Sequence, residues 1–417
     1  MPDKKLLKKC AAIICALAIA GLTFLFFTND FGLVDLRKTS VVIGVGLDKA
    51  GDELELTAQL AVPQPAENGE KTQFSVITGR GATVAEALNE INVRTGFYPK
   101  LVFCELILLG ESCLSGDVFG TLDYFYRNEY TGLTPKVAAC SGSAKEALSM
   151  DLPLGDSATD NIIRLLSEEA ERSANVCTVN LKDIGEDGYS ESAFCYMPYI
   201  SMENVQKGEE RQGSGEGQES SGQSGQSSGQ SGQSSGGGQS ASQGGKSAEG
   251  SQGFACNRAA LFSSGRFAGT LDERLTFAFN LVNNEVRHAF LRCGEGEDMR
   301  VIGLRDCKGS RSVSVEGDRV NLNLSFSAIV RVQDGEHNPT PETEGTKQAS
   351  EQDIALCRER IEGDLEALFE RCELLGCDLF GIRSLLYKYH YSEYMRSEGA
   401  IASSPTLSLS VKLKSAA

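Results

Sequence analysis

VVIGVGLDKAGDELELTAQLAV, residues Val41 to Val62, is the stretch that decides the fold. Val41 to Leu47 is an apolar run and Gly51-Asp52 is turn chemistry. Leu54, Leu56, Ala58, Leu60 and Val62 then alternate with Glu53, Glu55, Thr57 and Gln59. Two strand-like segments around a Gly-Asp turn predict a β-hairpin.

Outward from the hairpin, Thr72 to Thr78 reads as a further strand. Thr83 with Glu86 forms a capping box for a helix whose Val84, Leu88 and Ile91 share one face. Leu101 to Leu109 is apolar enough for a buried strand, and a short strand is expected near Pro135 to Ala139. Helices are expected over Leu114 to Arg127, from Ser143 with Glu146 as a second capping box, and over Ser157 to Ser173. This portion is therefore α+β or α/β.

Towards the N-terminus, Ala11 to Phe27 is a run of 17 residues without a charge, at the lower limit of the ~17 to 25 that cross a hydrocarbon core. Lys4, Lys5, Lys8 and Lys9 precede it, so the positive-inside rule keeps the tip cytoplasmic and exports the chain from Phe31 onward. Ala18-Ile19-Ala20 has cleavage-site spacing, but the apolar run continues through Phe27, which favours an uncleaved anchor over a removed signal. Neither Cys10 nor Cys15 has the small residues ahead of it that lipid attachment requires.

Towards the C-terminus, Gln212 to Gly253 is almost entirely Gly, Ser and Gln, a composition with too little apolar surface to offset chain entropy, so a disordered linker is expected. After it, Ala255 to Phe262 reads as a strand, Asp272 to Asn283 as a helix, and Val286 to Leu291 and Val313 to Val315 as strands. Val320, Leu322, Leu324, Phe326, Ala328 and Val330 alternate with more polar residues in the clearest strand of the chain. A polar loop from Gln333 to Ala349 leads to a helix whose Ile354, Cys357, Ile361, Leu365, Leu368, Cys372 and Leu375 step by three and four. Leu407, Leu409, Val411 and Leu413 alternate as a last strand.

The expected fold class is thus α+β, with two folded portions, or three small mixed sheet and helix domains, separated by a disordered Gly/Ser/Gln linker and preceded by an N-terminal transmembrane helix. The layout is a cytoplasmic basic tip at residues 1–10, a transmembrane anchor or signal segment at 11–27, an N-terminal α+β domain at 37–205, the linker at 212–253 and C-terminal α+β structure at 254–417.

Charge excludes one class of function. The 417 residues carry a net −17 while the first ten carry +3; nucleic-acid binding needs the opposite, clustered Lys and Arg on the folded part. The 13 cysteines are odd in number and irregularly spaced, and Cys372 with Cys377 has no further Cys or His at ligand spacing, so most thiols read as small apolar core residues.

Literal motif matches lack their structural context. Gly225 to Gly229 and Gly232 to Gly236 fit G-x-S-x-G inside the linker, with no strand before or helix after to form a nucleophile elbow. Gly79-Arg80-Gly81-Ala82-Thr83-Val84 opens a helix after a strand, but Val84 stands where a dinucleotide loop has its third glycine. His288, His337 and His390 are far apart and adjoin no nucleophile, and Glu168-Glu169 are neighbours on a helix that cannot face each other. No catalytic, cofactor-binding or metal-ligating residue is assigned, no cofactor is expected, and the chain reads as a non-enzyme.

A series of blocks in fixed order resembles the Ger(x)C family, the C subunits of spore nutrient germinant receptors. They are Gly46-Leu47-Asp48-Lys49, Gly81-Ala82-Thr83-Val84-Ala85-Glu86-Ala87, Lys100 to Leu109 and Asp123 to Asn128. After the linker come Ala259-Ala260-Leu261-Phe262 with Phe267 to Asp272, then Cys377-Asp378-Leu379-Phe380-Gly381 with Leu386 to Tyr389. The resemblance implies a germination subunit outside the inner spore membrane, with the membrane and A-type and B-type receptor subunits as partners. The family's members are usually lipoproteins, and this sequence departs from them at that point. A second reading is an exported domain that itself binds a nutrient ligand, since such pockets are lined mainly by ordinary apolar residues.

Overall fold

The computed structural model describes residues 13–23, 39–66, 69–150, 157–205, 251–283, 286–294, 299–333, 346–397 and 399–416. Helix α1 occupies residues 13–23. Among the described residues no helix is long and apolar enough to cross a membrane. The span expected at 11–27 runs past α1 at both ends into residues outside the description, as does the basic tip at 1–10. The 11 residues of α1 alone fall short of the ~20 a bilayer requires.

The hairpin is present. β1 (Thr39–Ala50) and β2 (Glu53–Ala66) pair antiparallel from Val41↔Ala61 to Ala50↔Glu53, and Gly51 turns between them at φ 69°, a conformation glycine adopts without a Cβ clash. β3 (Gly69–Gly81) pairs with β2. α2 (Val84–Thr95) starts at Thr83, whose hydroxyl accepts from the Glu86 amide at 3.2 Å. The strand Leu47-Asp48-Lys49 continues to Ala50, so the family block lies at the end of β1 and the turn follows it.

The chain then builds a parallel block. β4 (Tyr98–Lys100) lies parallel to Thr39–Val41, and β5 (Leu106–Gly110) parallel to β1 on the side away from β2. The buried strand expected from Leu101 begins only at Leu106, because Leu101 to Cys104 closes a turn in which the Cys104 amide donates to the Leu101 carbonyl at 3.0 Å. α3 (Glu111–Leu114) is a short turn that was not expected, and the helix expected over Leu114 to Arg127 is α4 (Val118–Arg127), which starts later because the Asp117 carboxylate caps it by accepting from the Phe119 amide. β6 (Lys136–Cys140) is followed by α5 (Ala144–Leu148), α6 (Ala158–Leu165), α7 (Glu168–Glu171), α8 (Leu181–Gly188) and β7 (Phe194–Val205). The helix expected over 157–173 divides at Ser167, whose hydroxyl accepts from the Ala170 amide and starts a new turn. α8 and β7 carried no legible signal.

β8 (Ser251–Ser263) pairs antiparallel with β7 from Val205↔Ser251 to Phe194↔Ser263, and β9 (Arg266–Leu271) pairs with β8. The first sheet runs β3-β2-β1-β5-β6-β7-β8-β9, with β4 beside β1. Its parallel centre is covered on both faces. Ile107 and Leu109 face Leu88, Ile91, Leu122, Phe125 and Ile184, while Leu106 and Leu108 face Ala144, Leu148 and Ile162. That double cover accounts for the unbroken apolar run of β5.

The sheet therefore crosses the linker. Residues 206–250, which hold most of the expected 212–253 segment, lie outside the described residues, and 251–253 belong to β8, where Gly253 pairs with Glu203. The division placed at the linker falls between two neighbouring strands of one sheet, and the second sheet begins only after α9 (Glu273–Asn283).

That second sheet contains β10 (His288–Cys293), β11 (Arg300–Glu316), β12 (Arg319–Gln333), β13 (Thr346–Gln348) and β14 (Thr406–Ser415). β11 and β12 form a long hairpin, and β14 runs parallel to β12 as an edge from Asn321↔Thr406 to Val330↔Ser415. The even-numbered apolar residues of β12 from Val320 to Val330 are buried, as alternation requires. They pack with Cys357, Ile361, Leu365 and Leu368 of α10 (Glu351–Leu375) and with Phe279 of α9. α11 (Ile382–Tyr389), α12 (Tyr391–Arg396) and a 3-10 turn at Ala400–Ser403 precede β14.

Candidate functional site

Two places gather the polar chemistry of the fold. The first is at the carboxyl ends of β1, β5 and β6, where the chain order reverses across the sheet and α/β proteins commonly bind ligands. Asp48 is buried there at 6% exposure. Its carboxylate accepts from the Ser143 hydroxyl at 2.9 Å and from the amides of Ala144 and Lys145, each at 3.0 Å. An anion placed on the open amides of a helix start is favourable. Gly110 makes room for it, since a Cβ at that position would lie 1.9 Å from the Asp48 Oδ1. The Lys49 amide donates to the Ser112 hydroxyl at 2.8 Å, and Glu111 and Gly142 exchange two hydrogen bonds across the loops after β5 and β6.

With both oxygens engaged, the Asp48 carboxylate ties the end of β1 to the start of α5. The expected capping box at Ser143 and Glu146 is thereby corrected. Ser143 does cap α5, but the second acceptor is Asp48, 95 residues away, instead of Glu146.

The second place is a cleft of about 360 Å³ where α8 and the start of β7 meet the loop before α11. Its wall carries Asp187, Arg311 and Asp378. Ser192 and Ser384 clasp each other, their hydroxyls 2.9 Å apart and each accepting from the other's amide at 3.2 Å. The Tyr394 hydroxyl donates to the Glu191 carboxylate at 3.1 Å. Asp378 caps α11, accepting from the amides of Ile382 at 2.6 Å and Arg383 at 2.9 Å, and Gly381 enters the helix at φ 66°. Desolvation in the cleft raises the Asp187 carboxyl and Arg311 opposes the rise, while Asp187 keeps enough exposed surface for water to screen much of both effects. No cysteine, histidine or serine in this cleft is paired with a base in the manner of a nucleophile.

The residues weighed from sequence are scattered. His288 is exposed at the start of β10, the His390 Nε2 lies 3.3 Å from the Val313 carbonyl oxygen, and His337 lies outside the described residues, as do both G-x-S-x-G matches. Glu168 pairs with Arg172 at 2.8 Å on the helix surface. Gly79 and Gly81 let α2 approach the sheet: a Cβ on Gly79 would meet the Ala87 carbonyl oxygen at 2.3 Å, and one on Gly81 the Glu86 Cβ at 2.5 Å. Cys372 and Cys377 are buried in the core. Among the described residues no three His, Cys, Asp or Glu side chains gather as metal ligands. No sequence motif marks Ser192, Ser384, Glu191 or Tyr394, and 192 residues separate the two serines, so no local pattern pairs them.

Residues 33–202 match the family model described as spore germination protein N-terminal domain, and residues 257–412 match spore germination B3/GerAC like, C-terminal. The chain belongs to the Ger(x)C family. The spore germination protein A3 of Bacillus subtilis (strain 168) is 27% identical over 178 residues, 41% of this chain and 46% of that protein, so the match spans about half the length of this curated relative. The crystal structure of the GerBC protein superposes with a TM-score of 0.47 at 12% identity, covering 89% of this chain and 96% of the other. In this Ger(x)C chain the family block Gly46 to Lys49 supplies the Asp48 link, and the block Cys377 to Gly381 supplies the Asp378 cap beside the cleft.

Proposed function

We propose that this chain is a non-enzymatic subunit of a spore nutrient germinant receptor, held outside the inner spore membrane by residues 11–27 and acting with A-type and B-type membrane subunits. The observation that carries the reading is the presence of both germination-family regions in order along one chain. The uncharged run at 11–27 behind a basic tip supports the membrane attachment. Clasped, capped and paired polar groups at both polar sites suit a scaffold whose surfaces bind proteins. Purification of the tagged chain from spores is expected to recover an A-type or B-type subunit, and repeated recovery of neither would sink the proposal. Mass spectrometry of the mature N-terminus is expected to find the 11–27 segment retained and free of lipid.

A second reading is a nutrient-binding exported domain, which the cleft favours by placing a guanidinium, Arg311, beside the carboxylates of Asp187 and Asp378. Calorimetric titration of the purified chain with amino acids and sugars distinguishes the two, because saturable heat that Arg311→Ala abolishes belongs only to this reading.

A further inference from the structure

We infer that the end of the first sheet carrying the amino termini of β1, β5 and β6 is a lipid-contacting surface, lying on the bilayer that holds residues 11–27. The inference rests on the membrane attachment proposed above. β1, β5 and β6 are parallel, so Thr39, Leu106 and Lys136 all enter the sheet from one end. α2 and α4 each follow a strand that finishes at the opposite end and run back, so the loops at 96–105 and 128–135 lie at this same end. Those loops expose large side chains: Phe97 45%, Tyr98 44%, Val102 49%, Phe103 60%, Tyr130 44% and Leu133 46%. Six such residues on two adjacent loops make a patch that marks an interaction surface.

Two observations select a bilayer as the occupant. Only 11 residues lie between Phe27 and Thr39, and even fully extended they reach at most about 40 Å. β1 enters the sheet at this end, so the segment 28–38 joins the fold here. The composition also fits an interface. Tyr98 and Tyr130 set their rings below and their hydroxyls at headgroup depth, and Phe97 and Phe103 add purely apolar rings, while the Lys100 ammonium, 5.2 Å from the Tyr98 ring centre and 4.7 Å from that of Tyr130, stands ready for a lipid phosphate. At the far end, Tyr189 stacks on Phe119 at the start of α4 with 73% of its surface exposed.

The chain contains no tryptophan, so one introduced indole reports alone. The full chain carrying Phe103→Trp, and separately Tyr189→Trp, is reconstituted in phosphatidylglycerol and phosphatidylethanolamine vesicles with brominated acyl chains. The Phe103→Trp indole is expected to shift to the blue and lose at least half its emission relative to unbrominated vesicles, and the Tyr189→Trp indole to do neither. Val102→Trp, at a second exposed position, is expected to repeat the first result. Vesicle flotation of the same samples separates the failures. A chain that floats with an unquenched Phe103→Trp indole overturns the lipid contact and leaves the anchor standing; a blue shift without quenching assigns the patch to a protein and overturns it equally. A chain that does not float overturns the anchor, and the lipid contact with it.

Discussion

Asp48 is a buried carboxylate at the end of β1 in the first sheet. Burial costs a carboxylate its hydration, and here three donors replace the water: the Ser143 hydroxyl and the Ala144 and Lys145 amides. Asp48→Ala would leave the Ser143 hydroxyl and the Ala144 amide without their acceptor, while the Lys145 amide keeps the Ser143 hydroxyl as one, and each unmet buried donor costs about 1–3 kcal/mol. Asp48→Ala is therefore expected to destabilise the chain by about 2 kcal/mol or more, seen in urea as a lower midpoint with an unchanged slope. Asp48→Asn, which keeps the shape and loses the charge, is expected to fall between the two. Gly110→Ala is expected to be comparably harmful, because its new Cβ would occupy the position of the Asp48 carboxylate. An equal midpoint for Asp48→Ala and the parent would remove Asp48 from the structural role assigned to it.

At the scale of elements, α10 is the helix most completely readable from its residues. Its apolar stripe at steps of three and four is the face that packs on the second sheet, and Ser350 with Asp353 forms a reciprocal capping box at its start. The sequence pattern did not disclose that two acids, Asp353 and Asp364, would be buried on that same face. They are neutralised from distant elements: Arg300 of β11 pairs with Asp353, and Arg274 of α9 joins Arg360 on Asp364. Burial raises the Asp353 carboxyl, but the Ser350 hydroxyl and amide and the Arg300 guanidinium together outweigh it and leave it below the ordinary carboxylate range. A carboxyl depressed in the folded state adds stability above its unfolded pKa of about 3.9, and that stability is lost as pH falls through the folded value. Asp353→Asn is thus expected to be less stable than the parent at pH 7, with the gap closing below about pH 4. Thermal melts at pH 7, 5 and 3 test this, and a gap that stays constant with pH would show that charge plays no part. The helix expected from Leu114 begins only at Val118 behind Asp117, and the one expected over 157–173 is divided at Ser167; both Asp117 and Ser167 are ordinary capping residues. Their side-chain bonds to the next turn compete with helix continuation, and periodicity alone cannot weigh that competition.

For the whole molecule, the hairpin at Val41 to Val62, the alternation of β12 and the stripe of α10 were all legible, because burial on one face writes a period into the chain. Partnerships across long separations were not. Pairing of β7 with β8 leaves no periodic trace, and the intervening Gly/Ser/Gln stretch has the composition of a tether between independent domains. The register places Val205 opposite Ser251, so the 45 residues at 206–250 close a single antiparallel hairpin inside one sheet. This geometry and the tether reading predict opposite effects of shortening. Loop-closure entropy grows by about 0.6 kcal/mol per doubling of length, so replacing residues 206–250 with a five-residue turn, roughly three doublings shorter, is expected to stabilise the chain by about 2 kcal/mol. A tether spanning separately docked halves would instead be strained or broken by the same replacement. Urea denaturation of the shortened full chain should show a higher midpoint and the first sheet melting as one unit. A lowered midpoint, or separate transitions for the strands on either side of the loop, would return the boundary to the linker.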